Sequence, residues 1–113
     1  MAETRGTVLR LQYDDLKRRI DAADAPARSA CFNFISSTFD SVSDAYSRAS
    51  NADRERMLKE VFEVSRKLWD AGNRPQALAL GVITLNIESR FTPGNDAGFV
   101  EAQTDTLIKQ ASG

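Results

Sequence analysis

Any chemistry this chain performs has to be done without histidine, because none of its 113 residues is one. That removes the commonest general base near neutral pH, the usual zinc ligand, and any Ser–His or Cys–His nucleophile pair. It also removes the Glu-x-x-His pattern of di-iron bundles. One cysteine, a few carboxylate pairs and two glycine-bearing turns are left to consider. Cys31 would need a lowered pKa and an open position to act as a nucleophile. It shares an apolar helix face with Phe34 and Ile35, so it reads as a small buried hydrophobe. Adjacent Asp14 and Asp15 diverge on a helix and cannot converge on one substrate. Glu60 and Glu63 have Arg56, Lys59 and Lys67 as neighbours, and Asp40 and Asp44 lie one turn apart among serines. Nothing near these pairs supplies the desolvating pocket that acid–base work needs.

The two turns fare no better. Pro93-Gly94-Asn95-Asp96-Ala97-Gly98 could offer backbone amides to an anion at a helix start. It lacks the lysine and spacing of a phosphate loop, and no strand precedes it. Asp70-Ala71-Gly72-Asn73 begins like a calcium loop, but Gly81 stands where the closing glutamate belongs. The sequence therefore predicts no catalytic residue, no metal site and no cofactor, and the expected class is non-enzymatic.

Composition narrows the partners. Fifteen basic and sixteen acidic residues give a formal charge of −1, so no global field draws the chain to phosphates. Nucleic acid is the alternative partner, and its candidate contact is an arginine patch at the start of the third helix: Arg48, Arg54 and Arg56. Asp53 and Glu55 interleave with it. A single cysteine excludes an internal disulfide. No apolar run approaches the roughly 20 residues of a membrane span. The first ten residues lack the order of a secretory signal, so the cytoplasm is the expected compartment.

Five segments must position whatever remains. Leu9, Tyr13, Leu16, Ile20 and Ala23 recur at steps of four and three, predicting a helix over Thr7 to Asp24. Pro26 marks the break. A second helix is expected from Ala27 to Ala49, with Cys31, Phe34, Ile35, Phe39, Val42, Ala45 and Tyr46 on one face and Phe32 at its edge. Ser50, with Asp53 three residues on, caps the third. Met57, Leu58, Val61, Phe62, Val64, Leu68 and Trp69 give that helix a broad apolar face. Opposite them, Arg56–Glu60, Lys59–Glu63, Glu63–Lys67 and Arg66–Asp70 are spaced i, i+4. Gly72 ends it, and Asn73 with Pro75 opens a fourth helix that is apolar on nearly every side from Ala77 to Ile87. After a turn at Thr92–Asn95, a fifth helix spans Asp96 to Gln110, with Phe99, Val100, Leu107 and Ala111 facing inward. The fold expected is an all-α single-domain bundle of five helices over residues 1–113, with frayed tails at 1–6 and 112–113.

Two faces do not reduce to core plus charged surface. The back of the second helix carries Asn33, Ser36, Ser37, Asp40, Ser43, Asp44 and Ser47. Ordinary solvent faces use Lys, Glu and Arg, whereas small polar residues let another backbone approach closely. The fourth helix has a second apolar stripe, Leu78, Val82 and Leu85. A helix apolar all round is normally central to its own bundle; exposed, this stripe would dock a second chain as a homodimer. Ala79, Asn86 and Arg90 form its only polar seam. These faces point to a protein–protein interaction module of the adaptor, inhibitor, chaperone or immunity type, its partner a protein of unspecified identity.

Overall fold

The caps largely decide where the elements begin and end. In a computed structural model that describes residues 4–112, five α-helices follow in order: α1 (Arg5–Ala22), α2 (Ala25–Arg48), α3 (Asn51–Asp70), α4 (Arg74–Arg90) and α5 (Asn95–Ser112). The all-α bundle read from the sequence is the fold. Thr4, Asp24 and Ser50 each accept a hydrogen bond from the amide three residues on, satisfying one of the open donors of a helix start. Asp24 corrects two expected boundaries. It caps α2 instead of ending α1, and Pro26 sits inside the first turn of α2, where its missing N–H is not needed. The expected tails are also too long, since Arg5, Gly6 and Ser112 are helical; residues 1–3 and 113 lie outside the described residues.

The α3–α4 turn is a Schellman motif. Asn73 N–H bonds to Leu68 O at 2.8 Å and Gly72 N–H to Trp69 O at 3.1 Å, with Gly72 at φ +88°. That φ lies in the left-handed region that glycine enters without a Cβ clash. Asn73, expected as a side-chain cap, makes no such bond.

Helix α4 is the centre of the bundle and packs on each of the other four helices. Leu78, Val82 and Leu85 join Leu9, Tyr13 and Ile20 of α1, Cys31 and Ile35 of α2, and Ala97, Val100, Leu107 and Ile108 of α5 in one core. A smaller cluster of Tyr46, Ile83 and Ile87 is covered by Val42, Met57, Leu58 and Val61. Of the two readings of Leu78, Val82 and Leu85, the central helix is the one observed, and their alternative placement as an exposed docking stripe is corrected: they are 7%, 0% and 6% exposed. The seam of α4 is no surface either. Asn86, fully buried, donates to Thr104 Oγ1 at 3.0 Å and Asp105 Oδ1 at 2.8 Å, and accepts from Arg90 Nε at 3.2 Å. Arg90 in turn reaches Ser43 Oγ at 3.1 Å. The network ties α4 to α5 and α2, and gives the buried amide the partners it needs.

Helix α3 is the exception in this bundle. It packs chiefly on α4, and none of its residues is fully buried. Its broad apolar face is only half used: Met57, Leu58, Val61, Leu68 and Trp69 are half-buried, while Phe62 and Val64 are 61% and 49% exposed.

Candidate interaction cleft

Helices α1 and α3 both run antiparallel to α4 and flank it, so they are parallel to each other. Arg5 pairs with Glu88 near one end and Leu16 meets Gly81 in the middle. On the other flank Arg54 lies over Phe91, and Ser65 Oγ donates to Ala77 O at 3.0 Å. Because α1 and α3 barely touch each other, a cleft of about 1240 Å³ opens between them above α4. Its floor is Ala77, Leu78, Gly81, Thr84, Leu85 and Glu88, with Leu16 on one wall and Leu58, Phe62 and Trp69 on the other. Leu78 and Leu85 are thus core residues whose outer edges line a recess.

Small side chains make up one edge of the floor. Ala77, Gly81 and Thr84 recur at steps of four and three along one side of α4. A Cβ at Gly81 would sit 3.0 Å from Leu16 Cδ1, so the missing side chain is what lets α1 come this close. One end is bridged by aromatic–cation contacts, with the guanidinium of Arg19 4.8 Å and that of Arg74 4.7 Å from the Trp69 ring centre. At the other end Arg54 lies 3.6 Å from the Phe91 ring centre.

Two charge patterns distinguish the walls. On the α1 side, Asp15 is held by Arg18 and Arg19 at 2.6 and 3.1 Å. On the α3 side, Glu55, Lys59, Glu63 and Arg66 line the cleft and make no ion pair among the described residues. The i, i+4 pairs expected on this helix do not close; Arg56 bonds Asp53 at 3.1 Å instead. On the floor, burial pushes the Glu88 carboxyl above the ordinary glutamate range, and Arg5 only partly offsets this.

The residues singled out from sequence fall in different places. Asn33, Ser36, Ser37, Asp40, Asp44 and Ser47 are exposed on α2, away from the cleft, and Ser43 is half-buried beneath Arg90. Ser37 Oγ folds back onto Phe34 O at 3.1 Å. This face offers hydroxyls and carboxylates but no apolar anchor. The arginines do not act as one patch. Arg54 is committed to Tyr46 O, Ala49 O and Asn51 Oδ1, where it closes the C-terminus of α2. Arg56 is paired with Asp53, and Arg48 stands exposed in the last turn of α2. Cys31 is 1% exposed, and burial pushes its thiol up to about 11, the opposite of an activated nucleophile.

Sequence reasoning misses Phe62 and Gly81. Phe62 shares the apolar face of its helix and so reads as core. Gly81 carries a signal of its own, since a mid-helix glycine among strong helix formers implies a close approach. Among the described residues no group of three acidic or cysteine side chains could hold a metal ion, and no helix is long and apolar enough to cross a membrane. The chain matches no family model, no curated protein and no solved structure.

Proposed function

We propose that this chain is a non-catalytic interaction module that receives an amphipathic helix of a protein in the cleft between α1 and α3. One observation carries the reading: a recess with a mainly apolar floor has a largely exposed phenylalanine, Phe62, on its rim. Phe62 is the most exposed of the large apolar side chains among the described residues, and apolar surface at the edge of a recess is a feature of interaction sites. A helix laid in a groove between two others uses apolar anchors at i, i+3, i+4 and i+7, which suits a channel walled by two parallel helices. The rim charges of α3, which make no ion pair among the described residues, can meet the polar flank of the incoming helix. The α2 face could add hydrogen bonds but lacks a pocket for an anchor, so it is the comparison surface.

The test replaces Phe62 or, as a control, Ser37 with photoreactive benzoylphenylalanine, irradiates in lysate of the source cells, and sequences the crosslinked segments. Crosslinks from position 62 to one segment with helical apolar periodicity support the cleft. Crosslinks only from position 37 move the site to α2, and none from either position ends the interaction reading.

A further inference from the structure

The α3 wall of the cleft is complementary to itself. Glu55, Lys59, Glu63 and Arg66 alternate in sign along one side of the helix, flanking Phe62. Placed antiparallel against an identical helix, Glu55 lies opposite Arg66 of the other copy, and Lys59 opposite Glu63. Both pairings are centred on Val61 or half a residue before it, so a single register satisfies all four charges in each copy. That register is also the one in which two Asn51–Asp70 helices overlap from end to end, over roughly 30 Å. A two-fold axis through this point sets Phe62 next to its symmetry mate at the middle of the contact, where interface anchors concentrate.

An unrelated partner would have no reason to match this symmetry, whereas a two-fold contact requires it. Among the described residues the four charges also make no ion pair, although they are spaced to pair with one another. We propose that the helix received by the cleft is α3 of a second copy, related by a two-fold axis, with Phe62 of each copy entering the recess of the other. This rests on the cleft being the interaction site and names its occupant.

The charges make the inference testable without disturbing the core. Lys59→Glu sets a new carboxylate against Glu63 twice in the pair, and Glu63→Lys likewise sets a new ammonium group against Lys59 twice. Both positions are exposed, so circular dichroism should show each variant folded. In sedimentation velocity the wild-type chain should move from monomer to dimer as concentration rises. Each single variant should stay monomeric over the same range. An equimolar mixture of the two variants should recover the dimer, since every opposed pair is again of opposite sign, and the double variant Lys59→Glu/Glu63→Lys should dimerise alone.

A wild-type chain that is monomeric throughout overturns the inference, as does a dimer that survives both single variants. A mixture that fails to recover the dimer also overturns it. The crosslinks from position 62 then separate the two claims: a segment of another protein leaves the cleft standing without the second copy, and no crosslink removes both.

Discussion

A single methyl group at Gly81 tests how the cleft is built. An ideal Cβ there falls 3.0 Å from Leu16 Cδ1 and 3.4 Å from Leu16 Cδ2, with nothing of the backbone of α1 in the way. Alanine is favoured over glycine within a helix by about 0.8–1.0 kcal/mol. Opposing this, the end of Leu16 must shift by a few tenths of an ångström. Leu16 is half-buried and faces the open cleft, so it has somewhere to go. Turning a side chain some 30° off its rotamer costs about 0.5–1.5 kcal/mol, and settling in a neighbouring well costs less. Gly81→Ala should therefore change stability by no more than about 1 kcal/mol in either direction, read by urea unfolding followed by circular dichroism. The displaced Leu16 intrudes on the recess, so dimerisation should weaken even where the fold gains. A loss above about 2 kcal/mol would refute the reasoning, because it would mean that Leu16 is jammed against α4 as in a close-packed core. Unchanged dimerisation would show that nothing enters the recess at its centre.

Three further outcomes follow from the packing. Asn86→Ala removes the hub that joins α4 to α5 and α2, and should cost about 2–3 kcal/mol in urea unfolding. Arg90 and Asp105 can turn to water in either variant, so Asn86→Leu should be less damaging because it fills the volume that alanine leaves empty. Tyr46 is 2% exposed and its hydroxyl has no hydrogen-bond partner among the described residues, so Tyr46→Phe should raise stability by about 1 kcal/mol, and a loss would reveal a partner for that hydroxyl. Glu88 holds its proton to higher pH in the fold than in the unfolded chain, so its ionisation works against folding. That penalty is absent below the ordinary glutamate range and complete above the raised folded value. Glu88→Gln should accordingly gain melting temperature over wild type at neutral pH more than in acid; a gain that is larger in acid would reverse the assignment.

Much of this architecture is legible in the residues. The steps of four and three from Leu9 to Ile20, the caps at Ser50 and Gly72, and the all-apolar α4 mark out five helices and name the central one, because periodicity and caps are local signals. Asp24 and Pro26 mislead by two residues because a proline both stops one helix and can start the next. The site is less legible. An apolar stripe says that a face is buried against something, but not whether the partner is its own bundle. Leu78 and Val82 find theirs inside, while Phe62, on an equally clear stripe, does not. That difference arises from α3 packing chiefly on α4, a long-range arrangement no local pattern encodes. Arg54 shows the same limit, since its role in closing α2 and covering Phe91 depends on a turn geometry that its charge does not reveal.

The most direct test of the cleft is a dilution series of amide NMR spectra on the isotope-labelled chain. If the cleft receives α3 of a second copy, the amides of Phe62, Trp69 and Gly81 should shift together as concentration rises, while those of Ser36, Ser37 and Ser47 on α2 stay fixed. Shifts confined to the α2 face, or spectra that do not change with concentration, would contradict the account.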